Sequence, residues 1–435
     1  MTHWQVEPAA AVHGDIVVNG DKSISHRSLL IGAVCDGPVR VRGFGASADT
    51  LATLACVRAL GVRVEEADAE LVVHGVGLRG LREPVAALDV ANSGTLMRLM
   101  PGLLAGQAAG RFVLDGDASI RRRPVERIAA PLRLMGADVT TTNGCPPLTV
   151  RAGAVLHGVE YVLPMASAQV KSCILLAGLN AEGQTAVLEP APTRDHTERL
   201  LRAAGAQVSR SGSRVELTPP ARLELDVIDV PADFSSAAFL IVAATLLPTS
   251  TLHLRGVGVN SGRTGLLTVL ERMGARVGLF NRRVSGGGEP VADIEVRHAE
   301  LVATEVEPDL VPATVDELPL VALAAACAHG VTRVRGAGEL RLKESDRLQS
   351  VAEALQACGA RITVVDDGWD VRGVPVRLRG GTVDPHGDHR IAMMAAIAAA
   401  HSENGVRILD PACVAVSFPE FRDLLQAVTV LPERA

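Results

Sequence analysis

The chain has 435 residues, of which 48% are apolar, so it can bury the cores of two ordinary domains. Its net charge of -6 argues against a general nucleic-acid surface, because proteins that bind the phosphate backbone usually carry a basic excess. Aromatic residues make up only 2%, which also removes the stacking platforms on which single-stranded nucleic acids bind.

The apolar runs are short for a membrane protein. The longest, 391–400 and 318–328, fall well below the ~20 residues that a membrane span requires, so we expect no span. The first seven residues contain neither the basic nor the apolar segment of a secretory signal, and the seven scattered cysteines form no CxxC pair. We therefore expect a cytoplasmic protein.

One short pattern recurs along the chain: an apolar residue, three further residues and a glycine, followed by a β-branched strand. The five complete copies are 57–61, 132–136, 201–205, 270–274 and 355–359, and a degenerate sixth is 425–428. The glycine is typical of a helix C-terminus. Many α/β proteins contain such connections, but the near-regular spacing favours internal duplication. Six units predict two lobes of three units each, with residues 229–233 as a plausible crossing point.

Only three of the 43 basic residues are lysine: Lys22, Lys171 and Lys343. Arginine is a planar fork, whereas lysine is a compact point charge that approaches a single oxygen. In a chain that otherwise uses arginine, a lysine indicates a place where a fork does not fit. The alternative is that these are ordinary solvated surface residues.

Lys22, Ser23 and Arg27 follow a predicted strand over 14–19 and precede an apolar run. A lysine, serine hydroxyls and the backbone amides of a helix N-terminus together form an anion site. The alternative is an ordinary helix start capped by Ser23 or Ser25.

Two further stretches have the composition of anion sites. In 92–98, small residues would let backbone N–H groups approach an oxyanion, although this signal is weak by itself. In 121–123, three adjacent arginines offer forks that match phosphate or carboxylate. They cannot all point one way, so at most two of them serve a ligand.

Lys343, Glu344 and Arg347 are predicted to begin an amphipathic helix, because apolar residues follow at helical spacing. Lys343 and Arg347 would then lie one turn apart on one face. Two cations beside a carboxylate could bind an anion and leave an acid able to move a proton. An ordinary surface ion-pair ladder also explains this stretch, and taken alone it is the better interpretation.

Two other motifs suggest cofactors only superficially. The stretch 386–390 contains two histidines and an aspartate, but no matching set of metal ligands stands out elsewhere, and Arg390 fits an anion clamp better. The glycines of 75–80 fit GxGxxG, yet Pro84 and the absence of a following apolar helix indicate a loop. We expect neither a metal nor a nucleotide cofactor.

Taken in order, these stretches resemble the enolpyruvyl transferases, and most closely the branch that acts on shikimate 3-phosphate. The resemblance covers nearly the whole chain and is carried by 21–23 with Arg27, 92–95 with Arg98, 123–124, 167–169, Asp316, 341–347 and 388–390. It implies an α/β fold of two lobes, each an inverse α/β barrel of three repeated βαβαββ-type units, with the active site in the cleft between them. Residues 1–20 with 234–435 would form one lobe and 21–233 the other.

The resemblance also implies a reaction. The enolpyruvyl group of phosphoenolpyruvate would pass to the 5-hydroxyl of shikimate 3-phosphate by addition and elimination, with release of phosphate, in aromatic amino-acid biosynthesis. Asp316 would act as base on the hydroxyl and Glu344 would carry the proton to and from the methylene carbon, with Lys22 and Lys343 steadying developing charge. No metal or organic cofactor is implied, and the partners would be the two small substrates of a monomeric protein, without nucleic acid or membrane.

The implied substrate contacts fall into two sets. For shikimate 3-phosphate they are Lys22, Ser23, Arg27, Ser167, Ala168, Gln169, Arg194, Asp316 and Lys343. For phosphoenolpyruvate they are Lys22, Gly94, Arg123, Gln169, Arg347 and Arg390. Ser23 and Arg27 would hold the shikimate carboxylate, and Arg347 and Arg390 the carboxylate of phosphoenolpyruvate.

Two rival interpretations remain. The sister enolpyruvyl transferase that uses UDP-N-acetylglucosamine has a catalytic cysteine loop, whereas the equivalent stretch here, 117–120, contains no thiol. The other rival is a non-catalytic metabolite-binding protein on the same scaffold. Retention of both Asp316 and Glu344 argues against it, because binding alone needs the cations but not the acids.

Overall fold

The computed structural model of the chain describes residues 3–67 and 70–432. The backbone divides into two compact units. Unit 1 is drawn from the chain up to Asn19, from Ala232–Arg283 and from Pro290 onward, and unit 2 comprises Gly20–Pro231 and Val284–Glu289.

The regular elements are numbered in chain order. Unit 1 begins with β1 (His3–Val6) and β2 (Ala11–Ile16). Unit 2 follows with α1 (Lys22–Ala33), β3 (Asp36–Arg42), α2 (Ala48–Ala59), β4 (Arg63–Ala67), β5 (Glu70–Val76), β6 (Leu88–Asp89), α3 (Gly94–Ala105), β7 (Arg111–Asp115), α4 (Glu126–Leu134), β8 (Asp138–Thr142), β9 (Cys145–Arg151), β10 (Glu160–Val162), α5 (Ala168–Gly178), β11 (Thr185–Leu188), α6 (His196–Ala203), β12 (Gln207–Ser211), β13 (Arg214–Thr218) and β14 (Val227–Asp229).

Unit 1 then resumes with α7 (Phe234–Leu246), β15 (Thr251–Gly258), α8 (Gly265–Arg272), β16 (Arg276–Val284), β17 (Pro290–Arg297), β18 (Glu305–Val306), α9 (Val311–Thr314), α10 (Leu318–Ala326), β19 (Gly330–Val334), α11 (Arg347–Ala357), β20 (Arg361–Val365), β21 (Gly368–Gly373), β22 (Gly381–Val383), α12 (His389–Ala400), β23 (Val406–Leu409), α13 (Phe421–Val428) and β24 (Thr429–Val430). Short 3-10 helices lie at Ile120–Arg122, Gly338–Leu342 and Pro411–Val416.

Five of the six sheets of the described residues share one four-strand plan, to which one of them adds a fifth strand, and the sixth sheet has three strands. In unit 2 the strand orders are β14-β3-β5-β4, β6-β7-β9-β8 and β10-β11-β13-β12, and in unit 1 they are β18-β19-β21-β20, β16-β17-β15-β2-β24 and β1-β23-β22. Each sheet contains one parallel pair, such as β14 with β3, next to antiparallel strands, such as β3 with β5. This confirms the predicted repetition of one unit, three times in each half of the fold.

The recurring glycines end helices as predicted. The five glycines at the ends of α2, α4, α6, α8 and α11 have φ between 90° and 97°; they are Gly61, Gly136, Gly205, Gly274 and Gly359. Only glycine adopts this left-handed conformation without strain, so it stops each helix and turns the chain into the next strand. The predicted strands follow directly, as β4, β8, β12, β16 and β20.

Buried helices form the centre of each unit. Every residue of α7 and α12 is buried, and α1, α3 and α5 are buried from their third residue onward. A helix that is apolar on all sides must lie in a core, whereas α6 and α13 bury one face only. The helices α3 and α5 approach so closely that a Cβ on Gly102 would lie 2.3 Å from the carbonyl oxygen of Cys173. The buried position of these helices agrees with the inverse α/β barrel fold that the resemblance implies.

The segment Val284–Glu289 belongs to unit 2, although it joins two strands of unit 1. The amide of Asp229 donates to the carbonyl of Gly286 at 2.9 Å, and the buried carboxylate of Glu289 lies 2.8 Å from Nδ1 of His196. The tip of the hairpin between β16 and β17 is therefore part of unit 2.

Within the described residues, none of the helices has the length and apolar character needed to cross a membrane.

Candidate active site

Three buried helices of unit 2 begin at predicted site residues. Asp21 caps α1 by accepting from the amide of Ile24 at 2.8 Å, Ser93 caps α3, and Ser167 caps α5. Lys22, Gly94 and Ala168 are the first residues of these helices, where unpaired amides and the helix dipole favour anions. The cap of α1 is Asp21 rather than Ser23 or Ser25, which leaves both serines inside the helix.

Lys22 is held in place by an acid of the neighbouring helix. Its ammonium lies 3.0 Å from the carboxylate of Asp49 in the first turn of α2, and about a fifth of the lysine side chain is exposed (20%). The ammonium is thus oriented but still reachable from solvent, which suits a contact with a ligand oxygen.

Arg27 lies in the interior of unit 2. Nε donates to Oγ1 of Thr197 at 2.7 Å, one terminal nitrogen donates to Ser172 at 3.1 Å, and the other to the carbonyl of Ser23 at 2.9 Å. Burial lowers the pKa of Arg27 to about 10, so the side chain stays cationic near neutral pH. These contacts use three of its five N–H groups, and two remain for a ligand.

Gly94 lies between two guanidinium groups. A Cβ added there would meet Nη1 of Arg98 at 2.7 Å and Nη1 of Arg123 at 3.1 Å, so a side chain would push against both. Arg123 donates to Asn92 at 2.7 Å, and Arg98 donates to Gln169 at 2.9 Å. Gly94, Arg98, Arg123 and Gln169, here called the Gly94 group, thus bring together residues from three separate motifs of the sequence.

Ser167 and Arg194 complete the predicted residues of unit 2. Ser167 is nearly buried and accepts from the amide of Val170 at 3.3 Å. Arg194 is half-buried on the loop before α6. Its positive charge lies close enough to Arg27 to contribute to the lowered pKa of that side chain.

His26 is a buried neighbour that the sequence did not single out. Its Nδ1 lies 2.6 Å from Oγ1 of Thr53, and Nε2 faces Ser93 at 3.5 Å. Burial, followed by the charges of Lys22 and Arg27, lowers the pKa of His26 well below its ordinary value of 6.5. The ring is therefore neutral and adds no third positive charge beside Lys22 and Arg27.

We expect His26→Asn to weaken the pH dependence of stability. The unfolded chain takes up a proton on His26 below about pH 6.5, whereas the folded chain does not, so stability is complete above that pH and falls by about 1.4 kcal/mol per unit below it. Asparagine can still bond Thr53 but cannot titrate. Urea unfolding followed by circular dichroism at about pH 7 and about pH 5 measures the difference.

The matched control for this variant is His386→Asn, because His386 is half exposed (47%). His26→Asn should lose less stability between the two pH values than this variant of an exposed histidine. If His26→Asn also lost as much as the parent, His26 would be excluded as a titrating group.

In unit 1, arginines and acids from separate motifs converge. We call Asp316, Glu344, Arg347, Asp388 and Arg390 the acid–arginine cluster. Arg347 is fully buried, and its Nε donates to Asp388 at 2.8 Å while Nη2 donates to Glu344 at 2.5 Å. Nη1 lies 3.7 Å from Asp316. The interpretation of residues 343–347 as an exposed ion-pair ladder is therefore wrong for Arg347, which is buried.

Asp316 lies among three guanidinium groups. Its carboxylate is 3.7 Å from Arg347, 3.7 Å from Arg390 and 3.8 Å from Arg263. Arg390 also donates to the backbone carbonyl of Asp316 at 2.8 Å, which fixes the acid against the first turn of α12. Arg263 and the buried Glu317 also contact this cluster, with Glu317 3.4 Å from Arg390. No sequence motif indicated either residue.

The charges of the cluster perturb one another. Burial acts to lower the pKa of Arg347, but the carboxylates of Asp388, Glu344 and Asp316 raise it above its ordinary value. Burial acts against the ionised form of Asp388, yet Arg347 holds the pKa of this carboxyl below its usual range. Both groups are therefore charged at neutral pH.

The predicted helix at Lys343 was wrong at its start. The helix α11 begins at Arg347, because Asp346 accepts from the amide of Gln349 at 3.3 Å and so caps it. Lys343 and Glu344 lie in the preceding irregular stretch, and Lys343 pairs with Glu339 at 3.3 Å. Lys343 and Arg347 are consequently not one helical turn apart.

Comparison with known proteins identifies a family. The family model for EPSP synthase (3-phosphoshikimate 1-carboxyvinyltransferase) matches residues 6–425. A 3-phosphoshikimate 1-carboxyvinyltransferase of Acidithiobacillus ferrooxidans is 50% identical over 436 residues, covering 100% of both chains. One of Halorhodospira halophila is 51% identical, covering 98% of this chain and 95% of the relative.

Solved structures give the same result. The EPSP synthase of Acinetobacter baumannii matches with a TM-score of 0.88 at 44% identity, covering 99% of each chain. The enolpyruvyl transferase NikO of Streptomyces tendae matches with a TM-score of 0.80 at 19% identity, which shows a common fold alone. On the full-length matches in sequence and structure, this chain belongs to the EPSP synthase (3-phosphoshikimate 1-carboxyvinyltransferase) family.

Proposed function

We propose how the residues of this chain share the reaction of their family. The chain transfers the enolpyruvyl group of phosphoenolpyruvate to the 5-hydroxyl of shikimate 3-phosphate and releases phosphate. The observation that carries this function is Asp316 set among arginines, with Glu344 on the guanidinium of Arg347. Anion binding alone would be served by the arginines, whereas proton transfer requires the acids.

Shikimate 3-phosphate is assigned mainly to unit 2. The two remaining N–H groups of Arg27 and the hydroxyl of Ser23 suit a carboxylate, because a fork accepts two oxygens at once. Ser167, with the first amides of α5, and Arg194 suit the phosphate. Ala168 and Gln169 follow Ser167 along the helix and would lie against the ring.

A second set of residues is assigned to phosphoenolpyruvate. Its phosphate suits Lys22, Arg123 and the amide of Gly94, because a glycine leaves room between two cations for an oxyanion. Its carboxylate suits the forks of Arg347 and Arg390, whose pairing geometry matches two oxygens.

The chemistry then needs two proton transfers. Protonation of the methylene carbon of phosphoenolpyruvate makes the central carbon electrophilic, and the 5-hydroxyl adds to it as its proton passes to Asp316. Loss of phosphate and of one methyl proton restores the double bond. Glu344 is assigned to donate the proton to the methylene carbon and later to remove a proton from the methyl group. Lys22 and Lys343 would stabilise developing negative charge.

The contact between Glu344 and Arg347 supports this role. A carboxylate paired with a guanidinium favours its ionised form. A substrate carboxylate on Arg347 would compete with Glu344 for the same N–H groups, and a weakened ion pair lets an acid take up a proton more readily. Binding of phosphoenolpyruvate would thus favour the protonated Glu344 that the first step consumes.

A phosphate-release assay tests the function. The purified chain should release inorganic phosphate from phosphoenolpyruvate only when shikimate 3-phosphate is present. Release that depends on UDP-N-acetylglucosamine would instead assign the chain to the sister enzyme. Tight binding of both substrates without release would assign a binding protein.

The compartment and the oligomeric state belong to the same proposal. We assign the reaction to the cytoplasm, in keeping with seven free cysteines, of which five are buried and all lack a disulfide partner. We also propose that the chain acts as a monomer. Size-exclusion chromatography with light scattering at assay concentrations would measure the mass, and a dimer mass would contradict the proposal.

A further inference from the structure

Lys171 is a fully buried lysine that the proposed reaction does not use. Its side chain has 0% exposure, and its ammonium lies 2.7 Å from the carboxylate of Glu198 and 3.0 Å from that of Glu189. Both carboxylates are also buried, at 1% and 0% exposure. We call these residues the Lys171 triad.

The triad is directly joined to the partners of Arg27. Ser172, the residue after Lys171, accepts from Arg27, and Thr197, the residue before Glu198, accepts from the same guanidinium. The two hydroxyls also bond each other at 2.7 Å. The pair of Lys171 with Glu198 therefore links α5 to α6 beside the point where these two helices hold Arg27.

The other arm of the triad reaches the loop that carries Arg194. Glu189 follows β11, and its carboxylate accepts from the hydroxyl of Thr193, the residue before Arg194. On its outer side Glu189 pairs with Arg210 at 3.0 Å. The ammonium of Lys171 thus connects α5 and α6, whose side chains accept hydrogen bonds from Arg27, with the loop that carries Arg194.

Stability alone does not explain the triad. Most residues around Lys171 on α5 are apolar and buried, such as Val170, Cys173 and Ile174, so apolar residues in place of all three charges would suit the same core. Removing charges from water costs several kcal/mol per ion, and well-packed apolar residues often serve the fold as well or better. Buried ion pairs can hold elements in one arrangement, because parting the charges would leave each of them uncompensated in the core.

We propose that Lys171 is a positioning residue for shikimate 3-phosphate: the Lys171 triad fixes Ser172 and Thr197, and through Thr193 the loop, so that Arg27 and Arg194 are held ready for the substrate. This inference rests on the proposed assignment of shikimate 3-phosphate to these two arginines. A displacement of a binding group by about 1 Å is enough to reduce the efficiency of a reaction strongly.

The test is the double variant Lys171→Met/Glu198→Gln, which removes the charge pair at similar side-chain volume and leaves Glu189 paired with Arg210 and Thr193. We expect KM and Kd for shikimate 3-phosphate to rise by about tenfold, with KM for phosphoenolpyruvate unchanged. Steady-state phosphate release gives both KM values, and calorimetry gives the Kd. A merely structural role would change the melting temperature and leave the two KM values in their original ratio, which would overturn the inference.

The matched control is Arg210→Gln, which removes another partner of Glu189 but at a position that is 28% exposed. We expect it to leave both KM values unchanged. If the double variant does not fold, Glu198→Gln replaces it, because Lys171 then keeps Glu189 as partner. An unchanged affinity for shikimate 3-phosphate in Glu198→Gln would equally overturn the inference.

Arg27→Gln, measured in parallel, separates this inference from the assignment on which it rests. If Arg27→Gln weakens shikimate 3-phosphate while the triad variants do not, the positioning role falls and the assignment stands. If Arg27→Gln leaves the affinity unchanged, the assignment of the substrate to Arg27 falls, and the positioning role falls with it.

Discussion

Glu344→Gln is expected to lower kcat by about 10²- to 10⁴-fold while both substrates still bind, since this is the usual contribution of a positioned general acid–base group. Glutamine keeps an oxygen that can accept from Arg347, at the place where the carboxylate now accepts at 2.5 Å. It cannot hold the proton that the methylene carbon gains and later loses. Steady-state phosphate release measures kcat, and calorimetry with shikimate 3-phosphate measures binding.

The control is Glu353→Gln, on the same helix as Arg347 but half exposed and paired with His386. This variant also loses one carboxylate and should keep the parent rate. A Glu344→Gln enzyme whose kcat stayed within about twofold of the parent would remove Glu344 from the mechanism. A raised KM with unchanged kcat would instead make Glu344 a binding residue.

The repeats could be predicted because their signal is local. A glycine such as Gly61 or Gly205 ends a helix through its own backbone conformation, and the strand after it follows from a few neighbouring residues. The prediction that the helix starts at Lys343 was wrong for a related reason. The apolar periodicity of α11 does not show where the helix begins, whereas the side chain of Asp346, which caps the helix, does.

The partners of the site residues could not be predicted in the same way. Arg27 was singled out, but Ser172 and Thr197 lie 145 and 170 positions away along the chain. Periodicity identifies which face of a helix is buried, not which residue of another helix it meets. The same limit hid His26, whose neutral state depends on burial and on two nearby cations.

Lys171 shows what composition can and cannot reveal. A rare lysine in an arginine-rich chain indicated that a point charge was required. That its ammonium is fully buried follows only from Glu189 and Glu198, which come from other elements. The acid–arginine cluster is similar: the sequence motifs contain Arg347 and Arg390, but Arg263 and Glu317 join them only through the fold.

Asp388→Asn is expected to lower the free energy of unfolding by about 3–5 kcal/mol, the usual cost of removing one partner of a buried ion pair. Asp388 is fully buried, bonds Arg347 at 2.8 Å and caps α12 by accepting from the amide of Arg390 at 2.9 Å. An amide in its place can accept on one side only. Urea unfolding followed by tryptophan fluorescence reports unit 1, because Trp4 and Trp369 both belong to it.

The matched control is Asp370→Asn, which breaks an aspartate–arginine contact of 2.6 Å with Arg335 in the same unit, but at about 40% exposure. Such exposed pairs contribute about 1 kcal/mol or less, so an equal loss in both variants would show that burial adds nothing to the strength of the pair.

The pH dependence of stability gives a second check on the pair of Asp388 with Arg347. Because Arg347 lowers the pKa of Asp388, the stabilisation is present above the ordinary aspartate pKa of 3.8 and is lost as the pH falls through the lower folded value. The difference between the parent and Asp388→Asn should therefore stay constant from about pH 7 to about pH 5 and shrink only in stronger acid. A difference that shrank already above about pH 5 would mean that Asp388 is not held ionised by Arg347, and the cluster would lose the charge pair that orients its central arginine.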